Sequence, residues 1–331
     1  MKNICENLKK EGIFKDNTDG TIKNVYRGES KIIEISNLYN NAKRDVVCVP
    51  SHNFCSLGCK MCHLTNNKLN KKMNQIHFND FIGCLLDSLK YFENKDNLLI
   101  SFMGVGEPQL NLKLIKDLFI NEKIIKEKYG YKNIGYSLST MMPFNNIDEL
   151  INVVLTNNIP LKLHFSLHSP IDKKRNELIP ATKVNVKKAF ELLSIYRKLL
   201  NKNETIKKEY SKFHNNFDFT EIHYTLIKNV NDTDEELELL YNLSNTYKIP
   251  IKFISFNPKN DLKKSNKEEK WVNKLKEIDR LIVKIYCPPG REIGSSCGEF
   301  TKHYYHEEIE TEKELKDFQK WKDEHEIKDN K

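Results

Sequence analysis

Cys55-Ser56-Leu57-Gly58-Cys59-Lys60-Met61-Cys62 sets three thiols at CxxxCxxC spacing, near the N-terminal end of a repeating strand and helix pattern. A loop this short brings three sulfurs onto one centre. A cubane iron–sulfur cluster has four irons, so full thiolate ligation needs a fourth cysteine, and here one iron stays open. An open metal position is the mark of a catalytic centre, as it is for zinc. The same residues also suit another metal. His63 follows Cys62 and His52 lies just upstream, so a Cys3His zinc knot draws on the same stretch. Zinc knots usually pair two short hooks, whereas this chain has one three-pronged hook.

Working outward, the runs near Ile22 to Tyr26, Lys31 to Ile35 and Asp45 to Val49 are rich in strand formers, the first two separated by Arg27-Gly28-Glu29-Ser30. That pattern predicts a hairpin leading into a first barrel strand. Further strands are expected at Leu98 to Met103, Ile134 to Ser139, Leu161 to Leu167, Thr220 to Ile227, Ile251 to Phe256 and Leu281 to Tyr286. Helices are expected near Asn79 to Phe92, Leu112 to Lys128, Ile147 to Asn157, Asn185 to Leu200, Thr233 to Tyr247 and Lys267 to Asp279, with Thr233 and Glu236 forming a capping box. Such alternation implies right-handed crossovers, a parallel sheet, and chemistry at the C-terminal strand ends. Residues 1–20 read as polar and loosely packed, Asn201 to Phe219 as a surface excursion, and Glu307 to Lys331 as an exposed charged helix or frayed end.

The 331 residues suffice for one main domain with appendages. Apolar content is 39% and charged content 30%, but 10% aromatics argue against general disorder. A formal charge of +8 favours a polyanionic partner. No apolar run approaches the roughly 20 residues that span a bilayer, and no leader pattern opens the chain. The expectation is therefore a cytoplasmic protein without a membrane partner. In a reducing compartment, clustered cysteines are ligands or reactants more often than disulfides. Of the eight cysteines, Cys5, Cys84 and Cys287 read as ordinary residues.

The strand ends carry small polar groups. Gly104-Val105-Gly106-Glu107-Pro108 follows one strand, Leu138-Ser139-Thr140 ends the next, and Ser166-Leu167-His168 and Phe256-Asn257-Pro258 end two more. Glycines let a backbone approach a ligand, and Glu107 could take an amino group. Each group alone reads equally well as a turn or a strand cap; together they suit one pocket. Cys297 sits in a glycine-flanked loop, Gly290 to Gly298, where a thiol is accessible, and Cys48 lies seven residues before Cys55.

The ensemble resembles the RlmN/Cfr family of radical S-adenosylmethionine RNA methyltransferases over about Ile22 to Phe300. The resemblance is carried by Cys48 with CxxxCxxC, FMGVGEPQLN (102–111), SLST (137–140), FSLHSPIDKKRNELIP (165–180), FNP (256–258) and SSCGEF (295–300). It implies an α/β fold, a partial (β/α)6 TIM-like barrel of the radical SAM type with an N-terminal β-hairpin extension. The implied parts are residues 1–44 as extension and hairpin, 45–300 as barrel with a catalytic C-terminal loop, and 301–331 as a charged tail. It also implies a [4Fe-4S] cluster on Cys55, Cys59 and Cys62, and S-adenosyl-L-methionine on Gly106, Glu107, Ser139, Ser166, Leu167, His168 and Asn257.

In that family the residue matching Cys297 receives a methyl group, which a 5'-deoxyadenosyl radical converts to a methylene radical that adds to adenine. The thiolate matching Cys48 then frees the product, leaving a disulfide. Glu34 is the implied base. The partners implied are ribosomal or transfer RNA and an electron donor such as flavodoxin or ferredoxin, with the enzyme a monomer. Basic residues Lys60, Lys68, Lys71, Lys72, Lys173, Lys174 and Arg175 are expected to hold phosphates. Two departures touch the target rather than the chemistry. Only about twenty residues precede the hairpin where the family carries a helical domain, and His63 to Met73 differs from the family pattern. The alternatives are the same chemistry on another nucleic acid or nucleotide, and a nonenzymatic zinc-binding RNA adaptor.

Overall fold

The computed structural model describes residues 8–28, 32–39, 43–65, 73–93, 96–144, 147–214, 218–296, 299 and 311–329. The chain divides into two compact units, one comprising residues 1–56, 66–134 and 289–331 and the other residues 57–65 and 135–288.

The first unit is built on β1 (Lys9–Lys15), β2 (Ile22–Arg27), β3 (Ile32–Leu38), β4 (Asp45–Cys48) and β5 (Asn97–Phe102). β1 to β4 pair antiparallel in chain order, and β4 pairs parallel with β5. The expected hairpin is β2–β3, with Ile22 opposite Asn37 and Arg27 opposite Ile32. β1 corrects the reading of residues 1–20 as loosely packed. Its charged start hides Ile13 and Phe14, which point to opposite faces: Phe14 packs with Val25 and Ile293, Ile13 with Ile22 and Tyr91.

α1 (Phe78–Leu89) lies against one face of this sheet, where the Tyr26 hydroxyl donates to the Cys84 carbonyl at 3.2 Å and Asn37 Nδ2 to the Ser88 carbonyl at 3.0 Å. The expected helix over Leu112 to Lys128 is two, α2 (Leu112–Ile120) and α3 (Lys123–Tyr129), separated at Asn121 and Glu122.

The second unit holds β6 (Asn133–Thr140) from Gly135 onward, then β7 (Leu161–Ser166), β8 (Thr220–Tyr224), β9 (Ile251–Ile254) and β10 (Val283–Tyr286). These strands pair parallel in chain order. Their crossovers carry α4 (Asp148–Asn157), α5 (Asp172–Leu178), α6 (Val186–Asn201), α7 (Glu204–Ser211), α8 (Asp234–Tyr247) and α9 (Glu268–Lys276). The strand and helix alternation read from the sequence is observed, with α5 and α7 added to it. The Thr233–Glu236 capping box starts α8 as expected.

α7 corrects the reading of 201–219 as a mere excursion, because Ile206 and Tyr210 are fully buried. The Tyr210 ring lies 4.1 Å from Phe219 and its hydroxyl donates to the Asp218 carbonyl at 2.6 Å, which pins the segment to the start of β8.

The charged tail forms α10 (Glu312–His325), part of the first unit, with a capping box of Thr311 and Glu314. Trp321 stacks on Phe14 at 5.0 Å and its indole N–H donates to the Glu292 carbonyl at 2.8 Å. Among the described residues, no helix is long and apolar enough to cross a membrane.

Candidate active site

Side chains alternate along a strand, so Lys23, Glu34, Ser36 and Cys48 share one face of the first unit's sheet, opposite the face that α1 covers. Cys48 ends β4, is 6% exposed, and stands directly across from Ser36. Over this face runs Pro289 to Ser296, the segment leading to Cys297. The Ser36 hydroxyl donates to Ser295 Oγ at 2.9 Å. Lys23 Nζ donates to the carbonyls of Ile293 and Gly294 at 3.1 and 3.3 Å, and it pairs with Glu34 at 3.2 Å, both side chains 0% exposed.

The β1–β2 turn holds the same segment from the other end. Asp19 accepts from the Gly290 N–H at 2.7 Å and Asp16 from the Glu292 N–H at 2.9 Å. Gly290 has φ 75°, and a Cβ there would lie 2.7 Å from the Ser295 Cβ, so the bend requires glycine. Cys297 itself lies outside the described residues. Ser296, its neighbour, is buried and donates to the Pro289 carbonyl at 2.7 Å.

At the end of β5, the glycine motif folds back on the segment after β4. A Cβ on Gly104 would stand 2.8 Å from the Val49 carbonyl oxygen. Gly106 has φ 104°, and a Cβ there would come within 2.6 Å of His52 Nδ1 and 2.7 Å of Ser51 Oγ. The Ser51 N–H donates to the Val105 carbonyl at 2.9 Å, and Ser51 Oγ lies 2.8 Å from His52 Nδ1. Burial pushes His52 down to about 4. Glu107 is 2% exposed, and one of its oxygens accepts from the Gln109 N–H at 3.1 Å, capping a short 3-10 turn. This is a backbone cradle with an anchored carboxylate, the surroundings a ligand amino group requires.

In the second unit, Ser139 and Ser166 are half-buried at strand ends, Leu167 is fully buried, and Asn257 is 6% exposed. His168 adopts φ 54°, a left-handed conformation that a histidine holds only when its surroundings over-determine it. Here Nδ1 accepts from the Thr225 N–H at 3.0 Å, and the carbonyl accepts from Asn231 Nδ2 at 2.6 Å. Burial, then the charge of Arg175, push the His168 imidazole down to about 3.

Arg175 overturns its reading as a phosphate grip. It is fully buried and donates to the carbonyls of Met141, Ser166, Leu167 and Val184 at 2.8, 3.1, 3.2 and 3.1 Å, fixing the ends of β6 and β7. Of the other basic residues, Lys60 and Lys173 are exposed, Lys174 pairs with Glu236 at 3.0 Å, and Lys68, Lys71 and Lys72 lie outside the described residues.

One group was missed from the sequence. His164, Glu221 and His223 bring their nitrogen and oxygen ligand atoms within 4.8 Å of one another. The period-2 pattern of Lys162-Leu163-His164 and Glu221-Ile222-His223 marks the two strands' shared polar face and could have revealed it. Lys162 and Lys252 reach the two oxygens of Glu221 at 2.9 and 2.5 Å, so ammonium groups already neutralise that carboxylate. Burial pushes the Glu221 carboxyl up, but His223, Lys252 and Lys162 outweigh it and hold it well below the usual range. Burial pushes His223 down to about 4.

The thiols Cys55, Cys59 and Cys62 are half-buried and not joined in a disulfide. Two successive turns shape the loop, with the Cys62 N–H donating to the Cys59 carbonyl and the Thr65 N–H to the Cys62 carbonyl, each at 3.1 Å. Leu57, Cys59 and Met61 pack against Met141, Leu178 and Ile179. Burial pushes the Cys62 thiol up, while the nearby Lys259 charge pulls it back. Three soft sulfur donors on one short loop fit an iron–sulfur cluster.

No protein-family model matches the chain. It is 24% identical over 302 residues to the probable dual-specificity RNA methyltransferase RlmN of Flavobacterium psychrophilum, covering 90% of this chain and 81% of the relative. To the dual-specificity RNA methyltransferase RlmN of Buchnera aphidicola it is 29% identical over 298 residues, covering 86% of this chain and 74% of the relative. Among solved structures, a radical SAM methyltransferase from Sphaerobacter thermophilus superposes with a TM-score of 0.65 at 20% identity, over 88% of this chain and 80% of that one. That likeness is one of fold, and it bears out the expected radical SAM architecture.

Proposed function

We propose that the chain is a member of the RlmN family of radical S-adenosylmethionine methyltransferases and that it methylates an adenine ring carbon of ribosomal or transfer RNA, carbon 2 rather than carbon 8. Cys55, Cys59 and Cys62 would hold a [4Fe-4S] cluster, and Gly106, Glu107, Ser139, Ser166, Leu167, His168 and Asn257 would hold S-adenosylmethionine. When bound, the two supply one-electron cleavage of a sulfonium, which reaches ring carbons too poorly nucleophilic for ordinary methyl transfer.

Cys297 carries the one-carbon unit to the ring, and before release the radical adduct gives up one electron, which the oxidised cluster would take back, together with the ring proton. The Cys48 thiolate then attacks the Cys297 sulfur: the S–S bond forms and the S–C bond breaks. Its electron pair goes to the new methyl carbon, which takes a proton, and two electrons from a donor such as flavodoxin or ferredoxin reset the disulfide. Glu34 is the proposed acceptor of the ring proton. Residues 45–300 carry this chemistry in a cytoplasmic monomer, with 1–44 as extension and hairpin and 301–331 as a charged tail. Exposed Lys60 and Lys173 meet RNA phosphates.

The observation that supports this reading best is the bond from Ser36, the cross-strand partner of Cys48, to Ser295, two residues before Cys297. It lays the segment before Cys297 on the sheet face that carries Cys48. Under turnover, Cys48→Ala protein should accumulate a covalent protein–RNA adduct, seen as an RNase-sensitive shifted band on a denaturing gel. Absence of that band, with RNA still methylated, contradicts the two-thiol reading.

A further inference from the structure

Lys259 follows the Asn257-Pro258 turn after β9 and is only 8% exposed, yet its ammonium points at main chain. Nζ donates to the carbonyls of Lys60, Cys62 and Thr65 at 3.5, 2.5 and 2.7 Å. An ammonium has three protons, and here three carbonyls of the two successive turns can take them. The turns run from Cys59 through Cys62 to Thr65, at the end of the thiol loop. Burial lowers the Lys259 amine overall, with Cys62 and then Cys59 acting the other way.

We propose that Lys259 is a positioning residue of the cluster site: it clamps the Lys60–Thr65 backbone and sets a fixed positive charge beside Cys59 and Cys62, favouring the reduced, more negative cluster. The proposal rests on the reading of Cys55, Cys59 and Cys62 as cluster ligands. Cluster potentials follow net charge and local hydrogen bonding, so a buried cation next to the ligands makes the cluster easier to reduce. A lysine also anchors this loop without a side-chain carboxylate, whose negative charge would act in the opposite sense.

Three variants separate the clamp from the charge. Lys259→Met removes both, Lys259→Gln keeps donors without charge, and Lys259→Arg keeps charge and donors. In the metal-free protein, hydrogen exchange of the Cys62 and Thr65 amides should quicken at least tenfold in Lys259→Met, less in Lys259→Gln, and little in Lys259→Arg. After anaerobic reconstitution, the ratio of reduced to oxidised cluster, read by electron paramagnetic resonance at one fixed applied potential, should fall roughly tenfold in Lys259→Met and Lys259→Gln. Lys259→Arg should restore it.

Unchanged exchange in Lys259→Met overturns the clamp. An unchanged ratio in both neutral variants, on a wild-type protein that loads iron, overturns the electrostatic role while leaving the cluster reading intact. A wild-type protein that stays colourless and takes up zinc instead overturns the cluster reading, and this proposal with it. Should Lys259→Met fail to fold, the contrast between Lys259→Gln and Lys259→Arg decides the question.

Discussion

Replacing Lys23 or Glu34 with methionine should damage the protein far more than replacing both. The two side chains are 0% exposed and 3.2 Å apart, and Lys23 also donates to the Ile293 and Gly294 carbonyls. Removing one partner leaves an uncompensated buried charge, which costs about 3–5 kcal/mol. In the double variant neither charge remains, and the main loss is the donor to two carbonyls, about 1–3 kcal/mol. The singles should therefore sum to far more than the double, with a coupling of about 3 kcal/mol or greater. Urea unfolding of metal-free wild type, Lys23→Met, Glu34→Met and the double variant measures this cycle. Hydrogen exchange at the Ser295 amide, which donates to the Gly290 carbonyl at 2.8 Å, should quicken in both Lys23 variants. Additive single losses below about 1 kcal/mol each would refute the argument that this pair braces the loop.

Other consequences follow from the same geometry. Arg175→Met should cost roughly 3 kcal/mol in urea unfolding by stranding buried carbonyls, and Arg175→Lys should recover little, since an ammonium cannot serve four carbonyls in a planar fan. Gly106→Ala should weaken S-adenosylmethionine binding at least tenfold by equilibrium dialysis, because φ 104° and the 2.6 Å approach to His52 leave no room for a methyl group. The pH dependence has a definite sign. His52 and His223 are pushed down to about 4 and His168 to about 3, whereas an unfolded imidazole titrates near 6.5. Below that value the unfolded chain takes protons first, so their stabilising contribution is complete above about pH 6.5 and is lost as pH falls toward 4. The melting temperature of the metal-free protein should drop through this window; a flat profile would contradict the buried, neutral assignment.

How much of this was legible depended on whether the determinants were local. The β2–β3 hairpin, the α8 capping box and the glycine turn after β5 are set by neighbouring residues, and the sequence shows them directly. β1 was hidden because Lys9-Lys10-Glu11 looks solvated; its burial comes from Trp321 and Ile293, roughly three hundred residues away in the chain. Lys23 and Glu34 broke the usual alternation of apolar and polar faces, since both faces of their sheet are covered. Arg175 sits in a Lys-Lys-Arg-Asn-Glu run that reads as a charged surface, and only the carbonyls left open where β6 and β7 end explain its burial. The thiol spacing was plain, but the Lys259 clamp on it was not, because nearly two hundred residues separate donor and acceptors.

The most direct measurement is nucleoside mass spectrometry of RNA incubated with reconstituted enzyme, reductant and S-adenosylmethionine carrying a trideuterated methyl group. Delivery of the carbon through Cys297 as a methylene unit predicts a new methyladenosine that keeps two deuterons. A product that keeps all three, or an unmodified adenine from an active cluster-loaded protein, would contradict it.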